Sequence, residues 1–167
     1  RQGLESGADA YVSKSADIDV MLARLRALLR RGRSAASETA ADTDFRPARI
    51  IVVHDSPTQR LRISAAMAQA GYEVREAANA EVALAAANDQ IDCIVTPASG
   101  ASLDGLDLCR RLDRRRERMA APFQIVVIGP GASDPHALAA AFDAGADDVT
   151  ASTDDDEVLR MRVRALV

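Results

Sequence analysis

Short, unbroken apolar runs alternate along this chain with longer stretches in which apolar residues recur every three or four positions. Ile50-Ile51-Val52-Val53 is apolar throughout, as a strand is when both faces of a parallel sheet are covered. Ser56 and Pro57 then supply an N-cap and a proline in the first helical turn. The predicted helix carries Leu61, Ile63 and Met67 and ends at Gly71. Glu73 to Glu76 predicts a second strand, and Asn79 caps an alanine-rich helix running to Ala87. Cys93-Ile94-Val95-Thr96 predicts the third strand, and Asp104 caps a helix through Leu106 and Leu112. Ile125 to Ile128 predicts the fourth strand, with a helix from Asp134 to near Gly145. Asp148 to Thr150 makes a short fifth strand, and the last helix follows Thr153. Five strands alternating with five helices predict a doubly wound α/β fold around a parallel sheet.

The two ends of the chain resemble each other. Gly7-Ala8-Asp9 recurs as Gly145-Ala146-Asp147. Val20, Arg24, Arg26, Ala27 and Leu28 recur as Val158, Arg162, Arg164, Ala165 and Leu166, at a constant offset of 138 positions. This exceeds the period of about 20–50 residues that marks stacked repeats, so it indicates duplicated domains. Residues 32–48, which include GRSAASETAADTDFRP, are polar and small and follow neither hydrophobic period, as a flexible linker would. The expected organisation is a β-α remnant of a first domain over 1–31, a linker over 32–48, and a second domain over 49–167 whose last helix is open to truncation at Val167. Residues 1–31 alone are too few to bury a core. Arg1 stands where an initiator Met would, so the natural start is expected upstream.

Composition narrows the picture. Of 167 residues 48% are hydrophobic and 28% charged, which suits a folded core, but aromatics are only 3% and Trp is absent. Ala, Val, Ile and Leu must therefore build that core. A net charge of −4 argues against the whole chain binding nucleic acid. No apolar run approaches the roughly 20 residues needed to cross a bilayer. Cys93 and Cys109 form neither a CxxC motif nor a disulfide framework, and a cytoplasmic protein is expected.

Several charged features carry a plain reading. Asp154, Asp155, Asp156 and Glu157 precede Arg160, Arg162 and Arg164 on the last helix, as Asp17 and Asp19 precede Arg24, Arg26, Arg30 and Arg31 in the first copy. Both follow the helix dipole and read as solvated faces. Arg110, Arg111, Arg114, Arg115, Arg116 and Arg118 are interrupted by Asp113 and Glu117 without interleaved aromatics, and read as a solvated helix end. Gly129-Pro130-Gly131-Ala132-Ser133 is a turn rather than a phosphate loop. His54 beside Asp55 has no partners at metal-ligand spacing.

The string Gly7-Ala8-Asp9-Ala10-Tyr11-Val12-Ser13-Lys14-Ser15 resembles the end of a response-regulator receiver domain, and the second unit resembles a complete one. Ile51-Val52-Val53-His54-Asp55-Ser56 resembles the family's first strand and acidic loop. Leu103-Asp104-Gly105-Leu106-Asp107-Leu108 resembles its MDGLEL opening of the third helix, and Ala144-Gly145-Ala146-Asp147-Asp148 its approach to the fifth strand. The resemblance implies a flavodoxin-like sheet of strand order 2-1-3-4-5. It also implies phosphoryl transfer from a histidine kinase to an aspartate at the end of the third strand. An acidic pair after the first strand would hold Mg²⁺, and a Thr or Ser after the fourth strand and a Lys after the fifth would sense the new charge. Such catalysis is positioning and electrostatics.

The second unit departs from that set at each position. Counting back from Asp104-Gly105, the phosphoacceptor position is Pro97. The acidic pair is reduced to His54-Asp55, the hydroxyl position falls at Gly129, and the lysine position is Ser152. Thr96 points to the opposite face of its strand. Asp92 lies about 16 Å back along the strand, and Ser99, the nearby hydroxyl, cannot form an acyl phosphate. Lys14, at the position matching Ser152, is by resemblance the lysine that pairs with the phosphoryl group of the first receiver.

The expectation is therefore a non-phosphorylatable receiver between an active receiver, which would use Mg²⁺ and an upstream histidine kinase, and a downstream output domain. The second receiver is expected to need no cofactor, to catalyse nothing itself, and to act as an adaptor or homodimerisation module. The layout resembles tandem-receiver diguanylate cyclase regulators and hybrid histidine kinases of bacteria. The alternatives are a flavodoxin-like module binding a small ligand beside Asp55, Pro97 and Gly129, or a receiver still phosphorylated by an unusual route.

Overall fold

The computed structural model describes residues 46–119, 123–129, 134–151 and 156–167, together with Leu22 and Leu25. The chain runs through β1 (Arg49–Val53), α1 (Pro57–Gln69), β2 (Glu73–Ala77), α2 (Ala80–Ala86), β3 (Cys93–Pro97), α3 (Gly105–Met119), β4 (Gln124–Gly129), α4 (Pro135–Asp143), β5 (Asp148–Ala151) and α5 (Asp156–Arg164). All strand pairs are parallel, in the order β2-β1-β3-β4-β5. This is the α/β flavodoxin-like sheet that the alternation and the resemblance implied.

The helices start where short polar side chains can accept a free backbone N–H. Asn79 takes the Val82 N–H at 3.0 Å, Asp104 that of Asp107 at 2.9 Å, and Asp134 that of Ala137 at 3.0 Å. Each satisfies one of the donors a helix leaves open at its N-terminus. Strand residues alternate between two cores. Ile51, Val53, Ile94, Ile125 and Val127 pack beneath α2, α3 and α4 with Leu108, Leu112, Phe123 and Phe142. Ile50, Val52, Cys93, Val95 and Val126 pack on the other face with Ile63, Met67, Leu159 and Val163 of α1 and α5. Phe123 and Phe142 are fully buried and each contributes about 1.5–3 kcal/mol of hydrophobic stabilisation. Cys93 belongs to this core, and burial is the main reason its thiol pKa is pushed far up, with the Asp147, Asp92 and Asp148 carboxylates adding to it. It is an inert packing group.

The arginine-rich end of α3 corrects the reading of a solvated patch. Arg110, Arg114 and Arg118 are exposed, but Arg115 donates to the Ala87 carbonyl at 2.9 Å. Arg116 turns inward, its side chain 11% exposed against Asp147 at 1%. It bonds Asp147, Asp113 at 2.8 Å, the Phe123 carbonyl at 3.2 Å and the Gly145 carbonyl at 2.9 Å. Burial works against its charge, yet Asp147 and then Asp113 outweigh it and raise the guanidinium pKa. Asp147 in turn accepts the Ile125 N–H at 2.8 Å. One cation thus ties the end of α3 to the starts of β4 and β5. Arg162 of α5 behaves similarly, holding both oxygens of Asp148 at 2.9 and 2.8 Å.

Candidate functional site

Parallel strands bring their carboxyl ends to one edge, where open α/β sheets place their chemistry. At this edge β1 delivers His54 and Asp55, β3 ends in buried Pro97, and β4 ends in buried Gly129. Pro97 pairs with Ile128 and Gly129 with Ala151, so Pro97 and Gly129 lie one step apart on neighbouring strands. The Ala98 N–H extends the ladder to the Ile128 carbonyl at 2.7 Å. A side chain at Gly129 would begin 3.3 Å from the Ala98 methyl. The sequence-derived positions His54, Asp55, Pro97 and Gly129 are thereby gathered at one edge. Lys14 and Ser152 lie outside the described residues.

Pro97 itself offers neither a nucleophilic side chain nor a backbone N–H at this edge. The neighbours do not replace it. Thr96 is buried, its hydroxyl 3.3 Å from the Pro97 carbonyl. Asp92 sits at the opposite end of the sheet, where it accepts the Arg49 N–H at 2.7 Å and a two-pronged contact from Arg46 at 2.9 and 3.0 Å. Ser99 is bridged across a tight loop to Asp104.

Asp55 brings a carboxylate to this edge, and its side chain is 10% exposed. Its oxygens accept the Ser102 N–H at 2.6 Å, the Ser56 N–H at 3.0 Å and the Ser102 hydroxyl at 3.3 Å. His54 Nδ1 lies 3.1 Å away and shares the Ser56 N–H at 3.0 Å. These contacts lower its pKa, the Ser102 N–H most, with burial opposing and Ser56, the Ser102 hydroxyl and His54 adding. Bonding to the charged form favours it.

A divalent cation at this position would need several oxygen ligands around it. The residues present do not fit one. Among the described residues a single carboxylate is available, its oxygens already accept N–H and O–H bonds, and the loop at Gly100 closes on it. A β-carbon at Gly100 would stand 2.5 Å from Asp55 Oδ1. Among the described residues no group of three or more His, Cys, Asp or Glu side chains could hold a metal. What the arrangement does chemically is fasten the β3–α3 loop to the end of β1.

Sequence reasoning missed Ser102 and the Arg116–Asp147 pair. Nothing in a short Ser-Leu sequence signals a contact 47 positions away. A signal for Arg116 was present, because Asp147 stands in an Ala-Gly-Ala-Asp string with an otherwise apolar approach to β5, and a buried carboxylate needs a cation.

Comparison with known proteins agrees with this geometry. Residues 50–165 match the family described as Response regulator receiver domain. The chain is 27% identical over 181 residues to the Response regulator PleD of Caulobacter vibrioides, covering 99% of this chain and 39% of that protein. It is 30% identical over 119 residues to the Transcriptional regulatory protein TcrA of Mycobacterium tuberculosis, covering 71% of this chain and 45% of that one. The chain thus spans less than half the length of these relatives. Among solved structures, the Vibrio cholerae chemotaxis protein CheY4 is similar with a TM-score of 0.64 at 21% identity, over 73% of this chain and 100% of that one. The BeF3-activated DrrB receiver domain follows with a TM-score of 0.62 at 21% identity, over 72% of this chain and 97% of that one. These two show the fold alone. With the family match spanning most of the chain on a 2-1-3-4-5 sheet, this chain belongs to the response regulator receiver domain family of two-component signalling.

Proposed function

We propose that residues 49–167 form a receiver that takes no phosphoryl group and serves as an adaptor or dimerisation module. It stands between a preceding active receiver and a downstream output domain. The observation that carries the reading is Pro97 at the end of β3, in register with Ile128 of β4, where the Asp104-Gly105 spacing puts the phosphoacceptor. His54 in place of the first acid, Gly129 at the end of β4 and Ser152 after β5 support it. The segment itself is non-catalytic, and no cofactor is assigned to it.

The repeat at the chain's two ends supports a tandem layout. So does the PleD match, which takes in 99% of the chain and so reaches well before the family match that starts at residue 50. In this reading residues 1–31 close a first receiver in which Lys14 meets the phosphoryl group beside Mg²⁺, supplied by an upstream histidine kinase. The output domain would be a diguanylate cyclase or a histidine kinase module. Among the described residues no helix is long and apolar enough to cross a membrane, and a cytoplasmic setting is part of the proposal.

The test is self-association of the complete gene product, measured by sedimentation with and without phosphorylation of the first receiver. Phosphorylation is expected to tighten the dimer at least about tenfold, a coupling of ordinary size. Excision of residues 49–167 is expected to abolish that response. A dimer constant indifferent to the excision would refute the adaptor role.

A further inference from the structure

We infer that Asp55 and Ser102 form a permanent clasp that holds the β3–α3 loop in a single position, so this edge of the sheet works as a fixed fastening and not as a switch. The inference deepens the reading of residues 49–167 as an unphosphorylated receiver and rests on it for its regulatory meaning. The clasp itself rests on geometry.

The loop from Ala98 to Asp104 is pinned at each end and in the middle. At its start the Ala98 N–H is held by Ile128, and at its finish Asp104 caps α3 through the Asp107 N–H. Within it, Ser99 bridges to Asp104, and the Gly100 N–H reaches the Leu103 carbonyl at 2.8 Å. Leu103 is 4% exposed and packs in the core. The turn this leaves at the surface, Ala101-Ser102, is exposed and has no apolar anchor of its own. Asp55 supplies the anchor from β1 by taking the Ser102 N–H at 2.6 Å and its hydroxyl at 3.3 Å. A bond of that length to an ionised acceptor is of the stronger, charge-assisted kind. Gly100 is compatible with it because a side chain there would collide with the same carboxylate.

The carboxylate is itself fixed from behind by the Ser56 N–H, which His54 Nδ1 shares as a second acceptor. Three of its roughly four acceptor positions are therefore taken by protein donors of both flanking segments, both of those on Oδ2 by Ser102. A cation or phosphoryl donor can bias a two-state loop only by binding one state better than the other. Here a ligand at Asp55 would have to compete with the Ser102 bonds, so the loop is held in one position whatever the metal or phosphodonor supply. The β3–α3 connection then transmits position and carries no signal of its own.

Amide hydrogen exchange followed by NMR on this chain tests the clasp. The Ser102 N–H is expected to exchange at least about tenfold more slowly than the Ala101 N–H, the low end for a bond to a charged group. Adding millimolar MgCl2 with acetyl phosphate is expected to leave that ratio unaltered. Asp55→Ala should remove the protection while strand amides such as Ile94 keep theirs. Ser102→Gly, which retains the N–H, should keep most of it. Equal exchange at Ser102 and Ala101 in the unmodified chain overturns the clasp, as does a Ser102 rate that rises with Mg²⁺. The intact mass of the same samples separates the two ideas. A phosphoryl adduct with Ser102 still protected overturns the function proposed above and not the clasp.

Discussion

The carbonyl oxygen of Pro97 lies 1.6 Å from the point where a side chain would begin at Gly105. The two backbones touch because α3 starts directly against the end of β3. The Asp104-Gly105 pair therefore has a structural reason to persist that is independent of any chemistry at position 97. Asp104 closes the helix start and Gly105 allows the approach. Gly105→Ala is expected to destabilise the domain by about 1–3 kcal/mol, the usual range for overpacking. A glycine-to-alanine change in an uncrowded helix would stabilise by up to about 1 kcal/mol. Urea denaturation distinguishes the signs.

Arg116 and Arg110 belong to the same arginine-rich helix but to different environments. Arg116→Met strands the Asp147 carboxylate, whose side chain is 1% exposed, and is expected to cost about 3–5 kcal/mol. Arg110→Met, on the exposed face, should change stability by no more than about 0.5 kcal/mol. Equal effects in thermal or urea unfolding would show that Arg116 is as solvated as its neighbours.

Acid should weaken the domain through Asp55. Its folded pKa is lowered, so its contribution is present above the unfolded carboxylate value of about 3.9. That contribution is lost as pH falls through the folded value, because the unfolded state takes up the proton first. Asp55→Asn is expected to be less stable than the parent at neutral pH, with the gap closing below about pH 4. Unfolding midpoints for both chains across that window test it, and a gap that stays constant contradicts it.

At the opposite end of the sheet, Asp92 accepts from Arg46 and from the Arg49 N–H. The Arg46 pair is substantially exposed, 39% and 30% for the two side chains, and Arg46→Ala should cost about 0–1 kcal/mol. Asp92→Ala also orphans the part-buried Arg49 N–H and should cost about 1–3 kcal/mol more. Denaturation of the two variants side by side measures the difference.

The architecture was legible in the sequence because β1, β3 and β4 are blocks rich in β-branched residues and polar caps open the helices between them. The caps at Asn79, Asp104 and Asp134 fell where they were expected. Strand ends were less legible. β3 runs one residue further, to Pro97 in register with Ile128, because the following Ala98 N–H still reaches the Ile128 carbonyl. The proposal that Pro97 occupies the acceptor position comes from the spacing to Asp104-Gly105, a local count. The clasp and the Arg116 network were not legible, since each joins residues dozens of positions apart, and which donor a carboxylate finds is decided by packing.

The central claim is that position 97 cannot accept a phosphoryl group. Incubating this chain with acetyl phosphate and Mg²⁺ and weighing the intact protein is its most direct trial. The account predicts an unmodified mass. A single phosphoryl adduct that hydroxylamine removes, mapping between residues 90 and 105, would contradict it.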